Sequence, residues 1–280
     1  FKRWQVSFDG FALLTPYETL RTSIVADGPK HRVTLELDVE LVTPPWDARA
    51  AARQATGKGS MESQDWAHDH YEQLCVARGT AQVVEAGHNN DLAWGRWVNG
   101  TARVTVLFLQ SERPIGSNGG VHYLVGVPTV TMPTSGTAYY AFGGATSPTF
   151  ASGAVAPGSF TGQGLVQFAS GDATRVAFKG DMVFGSGERY HLFSQGARQD
   201  SGGRLVEIGD TQVRMTGRTT FSGSIGVVSQ GSADRAGCGT ANCQARVNGG
   251  FFGADAARMG VTYSVGRTQG GGDTIHGVAV

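Results

Sequence analysis

The chain has 280 residues, enough for one large all-β unit or two smaller domains. Its 42 glycines are roughly double the usual share and show no three-residue period, which excludes collagen. Lysine plus arginine balance aspartate plus glutamate at 23 each, which argues against a surface built to meet nucleic-acid phosphates; no apolar run approaches the ~20 residues of a membrane-spanning helix.

The start at Phe1 reads as that of a mature or trimmed chain and gives no address. An aromatic-rich opening follows, in which Asp9-Gly10 is a hairpin signal between QVSF and FALL. The run 33–41, VTLELDVEL, alternates strictly and predicts a strand with Val33, Leu35, Leu37, Val39 and Leu41 on one face, ended by Pro44-Pro45. Residues 46–79 differ in kind. Alanine, glutamine and charged residues favour helix there, over roughly 47–55 and 62–77, with glycines at 57 and 59 between the two. Trp66, His70 and Leu74 are spaced to share a face of the second helix. Residues 1–85 are therefore expected to form a mixed α/β segment.

From about residue 80 the period returns to two. TAQVVEA and DLAWGRWV precede Asn99-Gly100, a hairpin signal, and then TARVTVLFLQ. A polar loop is expected over 110–120, followed by VHYLVGV, TAYYAFGG, SFTGQGLVQF, TRVAFKGDMVF, RYHLFSQ, GRLVEIG, TQVRMTG, TFSGSIGVVSQ, CQARVNGGFF, VTYSV and TIHGVAV as strands. In 175–184, Val176, Phe178, Gly180, Met182 and Phe184 share one face, and in 160–168 Phe160, Gly162, Gly164, Val166 and Phe168 do so. Large residues alternating with glycine let a small barrel fill its interior without overpacking. The absence of helices to cover both faces of a sheet excludes a doubly wound α/β fold.

No G-x-S-x-G, H-E-x-x-H or phosphate-loop pattern occurs, and the glycine pairs lie in no βαβ unit. The most tempting polar cluster is WAHDHYE, where His68 and His70 flank Asp69, with Asp65 and Glu72 nearby. Two imidazoles and a carboxylate suit a transition metal, and one imidazole suits haem iron; the bland alternative is a solvated helical face or loop. His122, His191 and His276 read as core or rim histidines bonded to backbone, and His31 and His88 as exposed residues beside turns. Trp94 and Trp97 stand on opposite faces of one strand, so one can pack inward while the other covers surface or a partner; Tyr139 and Tyr140 present the same choice. Cys238 and Cys243, in AGCGTANC, are read as a local disulfide, with free thiols or a metal pair as alternatives. Cys75 reads as a buried free thiol.

The stretch 248–265, NGGFFGADAARMGVTYSV, reads as the last corner of a closed antiparallel sheet. One strand ends at Phe251 and Phe252, a helical turn or tight loop spans Ala254–Arg258, and the next strand starts after Gly260. Together with the closing IHGVAV, it resembles the end of the eight-stranded barrel domain of transferrin-binding lipoproteins and their relatives in Gram-negative envelopes. The stretch WGRWVNG…VHYLVGVPTVTMPTSGTAYYAFGGATSPTF also looks like the barrels of FecR-type proteins.

The resemblance covers roughly 90–280. It implies a mainly β protein: an eight-stranded antiparallel up-and-down β-barrel over 86–280 behind a mixed α/β N-terminal segment, 1–85, that acts as a handle or partner-binding region. Gly250, Gly253 and Gly260 would shape the corner that holds Phe251, Phe252 and Tyr263. It further implies a non-enzymatic binding or structural module of the outer-membrane surface, periplasm or secreted space, whose partner is a protein or haem, with room for a lipid anchor before Phe1. The resemblance carries over no ligand residue; read from the residues themselves, Trp66, His68, His70 and Trp97 are the candidate ligand contacts, with haem as a candidate ligand and no cofactor assigned. A secreted adhesin-like protein and a metal-dependent enzyme using 62–77 are the alternatives.

Overall fold

The computed structural model describes residues 4–8, 22–26, 56–65, 73–89, 91–106, 109–126, 129–239, 243–268 and 272–280. The chain forms two compact units, 1–127 and 128–280. The expected division at 85/86 falls inside a strand.

In the first unit, seven antiparallel strands make one sheet: β1 (Trp4–Phe8), β2 (Thr22–Ala26), β3 (Thr56–Asp65), β4 (Gln73–His88), β5 (Leu92–Val106), β6 (Leu109–Ile115) and β7 (Val121–Gly126). Their order is β2-β1-β7-β5-β4-β3, and β6 follows β7 along the same edge of β5. The period of two places Leu92, Trp94, Arg96 and Val98 of β5, with His122 and Leu124 of β7, among the buried residues. A Cβ at Gly87 would overlap the Trp94 indole, so the glycine is the floor on which that ring lies.

Several expectations for this unit are overturned. The helix expected over 62–77 does not hold at its ends: 62–65 belong to β3 and 73–77 to β4, the two strands pairing from Thr56↔Gln82 to Asp65↔Gln73, and 66–72 lie outside the described residues. A ten-residue ladder outweighs helix preferences of a few tenths of a kcal/mol per residue. Asn99-Gly100 is no hairpin turn but lies within β5, where Thr80 pairs with Thr101 and Gln82 with Val98. Asn99 takes its φ of 53° inside this bulge; the left-handed conformation that suits asparagine to a turn suits a bulge equally. The loop expected over 110–120 begins only after Ile115, since β6 pairs with β5. Both edges of β1 are taken, by β2 and β7, and FALL lies outside the described residues. The strand expected over 33–41 and the helix over 47–55 lie outside the described residues.

The second unit begins with β8 (Gly136–Ala141), β9 (Thr149–Phe150), β10 (Ser159–Phe168), β11 (Arg175–Val183) and β12 (Arg189–Phe193). A small hairpin follows, β13 (Ala197–Gln199) and β14 (Leu205–Ile208), and then β15 (Arg214–Met215), β16 (Thr220–Ser229), β17 (Cys243–Phe252), β18 (Arg258–Arg267) and β19 (Ile275–Ala279). Ten of these make one antiparallel sheet in the order β8-β10-β11-β12-β16-β17-β18-β19-β9, with β15 beside β16. The closed eight-stranded ring is not what this pairing gives: the sheet has ten strands and its path has two ends, β8 and β9. Both ends belong to one stretch, since 143–146, just after β8, bonds to the backbone of β19 and Val280. The barrel expected to start at 86 is also displaced, because 92–126 pair into the first sheet.

The core of this unit follows the alternation read from the sequence. Val176, Phe178, Met182 and Phe184 are buried on one face of β11, and Val166 and Phe168 on β10. A Cβ at Gly162 would lie 2.9 Å from the Phe160 ring, and one at Gly180 2.6 Å from it. At Gly164 it would overlap the end of Met259. The glycines are the spaces into which opposing side chains fit.

Candidate functional site

Trp66, His68 and His70 lie outside the described residues. Asp65 ends β3, its backbone opposite Gln73, and Trp97 sits in β5 between Val83 and Val121. Among the described residues no group of three His, Cys, Asp or Glu side chains is placed to hold a metal ion.

The closing corner is built largely as its sequence suggests. Gly250 pairs with Gly260 across β17–β18, and Phe251, Phe252 and Tyr263 are all buried. Gly253 has a φ of 75°, which a side chain would disfavour, and a 3-10 turn over Ala254–Ala256 follows. β18 starts at Arg258, two residues before Gly260, so this glycine lies within the strand rather than ahead of it. Tyr263 stacks on Phe160 with ring centroids 5.0 Å apart. Two glycines not singled out in the sequence matter as much. A Cβ at Gly249 would overlap the Phe221 ring, and one at Gly277 would overlap the Tyr263 phenol. Their place in the two-residue alternation was the available signal.

The segment between β16 and β17 is tied down from several sides. Cys238 and Cys243 form a disulfide, Cα atoms 4.9 Å apart. Asp234 accepts the Cys238 and Gly239 N–H groups, and the Tyr190 hydroxyl accepts that of Ala236 at 3.2 Å. Burial, aided by the charges of Asp234 and Glu188 and opposed by the Ala236 bond, pushes the Tyr190 phenol up to about 12. The carboxylate of Glu188, itself buried, accepts from Arg235 Nε at 3.1 Å and from the Ser186 hydroxyl.

The interior holds several groups of rings in contact. Phe150 lies 4.6 Å from Phe184, Phe178 lies 5.5 Å from Phe221, and Phe221 lies 5.3 Å from Phe251 between centroids. His276, on β19, is fully buried, and neither ring nitrogen has a hydrogen-bond partner among the described residues. The backbone bond expected for it is therefore absent, and burial lowers its pKa to about 4. His191 is a half-buried rim residue whose Nδ1 meets Asp181 at 2.8 Å. His122 is fully buried.

Polar and aromatic groups gather on the outer face of β8, β10 and β11. The hairpin β13–β14 covers part of it, with Leu205, Ile208 and Ala197 packed on Leu165 and Ala177. Gln163 joins the pieces: its Oε1 accepts from the Tyr139 hydroxyl at 2.9 Å and from Leu205 N–H at 3.1 Å, and its Nε2 donates to the Gly203 carbonyl. Lys179 donates to Gln199 and to the Gly203 carbonyl. The Arg204 guanidinium stands 4.1 Å from the centroid of the Tyr139 ring. Tyr140 points the other way and donates to the Ala256 carbonyl at 2.6 Å; burial raises its pKa. Of the tyrosine pair, one is thus core and one surface. Nothing in the spacing of the sequence announced the Arg204 contact, which depends on a hairpin folding back across 65 residues from Tyr139 to Arg204.

No family model matches this chain, and no curated protein does. Among solved structures, a double mutant of transferrin binding protein B from Haemophilus parasuis Hp5 is similar at 13% identity with a TM-score of 0.28, over 80% of this chain and 36% of that one. A single mutant of the same protein gives 15% identity and a TM-score of 0.29, over 74% of this chain and 35% of that one. The intact Ap-TbpB structure, with N and C lobes, gives 12% identity and a TM-score of 0.30, over 99% of this chain and 45% of that one. The chain thus spans between a third and a half of the length of these structures. At such TM-scores the similarity carries no argument about function.

Proposed function

We propose that this chain is a non-enzymatic binding module of the cell envelope, in which the second unit is a filled β scaffold and its outer surface, with the N-terminal unit, meets a protein partner. The observation that carries the reading is the interior of the large sheet. Its rings occupy the space that glycines vacate, so the sheet has a core where a ligand-carrying barrel would have a lumen. Recognition then falls to the outside. The glycine-phenylalanine corner, with its resemblance to envelope lipoprotein barrels, supports placement at the outer-membrane surface. Trp66, His68, His70 and Trp97 are retained as proposed contacts for haem or an iron-carrying protein. A secreted adhesin-like role shares the same scaffold and differs in having no small ligand.

The test is a binding panel on the purified protein: haem followed by its Soret band, and transferrin and haemoglobin on a biosensor. Saturable binding to a protein without a Soret shift is expected. A Soret shift that is lost in His68→Ala or His70→Ala would move recognition to haem, and multiple turnover of a substrate dependent on metal and on Asp65 would overturn the non-enzymatic reading.

A further inference from the structure

The geometry points to the free edge of β8 as a docking site for an extended, acidic segment of a protein partner, added to the sheet as a further strand. This rests on the reading of the protein as a partner-binding module and specifies where the partner sits and what its chemistry is.

Three observations carry it. First, β8 begins the sheet path: β10 pairs with one of its edges, and among the described residues no strand pairs with the other. Such an edge presents a row of backbone donors and acceptors that another strand satisfies. Second, the edge lacks the usual protection. From 121 to 171 the chain has no Lys, Arg, Asp or Glu, and Gly136–Ala141 has neither a proline nor a bulge against β10. Exposed aromatic side chains lie on and beside it: Tyr139 and Phe142 are 38% and 41% exposed. Third, the charged side chain that meets β8 is positive. Arg204, exposed, stands over the Tyr139 ring and has no carboxylate partner among the described residues. Lys179 of β11 adds a second cation that bonds to Gln199 and to the Gly203 carbonyl of the hairpin, while the Asp200 carboxylate accepts from the N–H groups of Gly202 and Arg204.

The charge decides between occupants. A second copy of this chain would bring β8 to β8 antiparallel about a two-fold axis, setting the two Arg204 side chains on the same face within a few strand spacings of ~5 Å with no acid between them. A partner strand with a carboxylate beside Tyr139 removes that repulsion and gives Arg204 a counter-ion. Main-chain bonds would supply the affinity and the Arg204 contact the selectivity.

The full chain, labelled with nitrogen-15, is titrated with an N-acetylated, C-amidated TVEVTVEVT peptide and with its twin carrying glutamine for glutamate. The expected result is saturable amide shifts and slowed hydrogen exchange within 136–142, with the acidic peptide at least ~5-fold tighter than its twin. Arg204→Ala, an exposed site whose fold is checked by its melting curve, should abolish that preference while leaving the weaker, charge-independent binding. Equal affinity for both peptides, shifts confined to other regions, or no saturation by ~1 mM would overturn the assignment. So would sedimentation showing the protein alone to be a dimer through 136–142, which would give the edge to a second copy. A protein partner that binds with 136–142 unprotected would remove this site while leaving the binding-module reading intact.

Discussion

The two faces of the β10–β11 pair obey different rules. Inside, glycines at 162, 164 and 180 meet Phe160 and Met259, and position is fixed by steric exclusion in a dry, close-packed space. Outside, Gln163 and Lys179 hold the β13–β14 hairpin by hydrogen bonds at the edge of water, where each net contribution is near 1 kcal/mol. The inner face therefore tolerates almost no change and carries the fold. The outer face tolerates change and is free to carry recognition.

The contrast is easiest to break at Gly249. Gly249→Val should destabilise the second unit by about 3 kcal/mol or more, because its Cβ overlaps Phe221 and approaches the Gly260 carbonyl oxygen at 2.5 Å. Urea unfolding followed by aromatic fluorescence reads this directly; an unchanged midpoint would sink the steric account of the inner face.

His276 sharpens the comparison, being a polar group in a dry position. Its pKa falls from 6.5 to about 4 on folding, so above pH 6.5 both states are neutral and stability is fully present. As pH falls toward 4, the unfolded chain takes up a proton that the folded chain refuses, and on the order of 3 kcal/mol is lost. His276→Leu should flatten the stability profile between pH 6.5 and 4. A profile with the same slope in the variant would assign the effect to other groups.

Smaller effects are expected further out. The Cys238–Cys243 ring is short, so its loss in a Cys238→Ser, Cys243→Ser variant should cost about 2 kcal/mol. Thiol titration of the unreduced, unfolded chain should find one reactive cysteine, Cys75, and finding three would contradict the bond. At the exposed end of the scale, Arg198→Ala breaks a 2.7 Å pair with Glu207, both side chains more than half exposed, and should move stability by less than about 0.5 kcal/mol. Gly185→Ala, where a Cβ meets nothing within 4 Å, should be equally silent. A large loss at either position would mean that the outer face is not the tolerant one.

The alternation that placed Val176, Phe178, Gly180 and Met182 on one face was legible because burial imposes a strict two-residue rhythm on a strand. The corner at Gly250–Tyr263 was legible for the same reason, helped by the φ of 75° at Gly253. The two ends of the stretch 62–77 were not: the composition favours helix, and only the β3–β4 ladder makes 62–65 and 73–77 strand. Asn99-Gly100 misled because a hairpin turn and a bulge demand the same left-handed residue. The Arg204–Tyr139 contact and the Glu188–Arg235 pair were invisible, since both join residues brought together by a fold-back rather than by local spacing.

One consequence concerns the order in which the chain can assemble. The carbonyls of Val278 and Val280 accept from 143–146, more than 130 residues earlier, so the stretch that carries both ends of the sheet path finds this partner only after a long interval of synthesis. On the ribosome, 143–150 must wait for Ile275–Ala279 to emerge before finding its neighbour, and closure over so long a separation is slow. A nascent chain halted before residue 275 would carry a sticky, unsatisfied margin, the form of this protein most prone to aggregate or to need a chaperone.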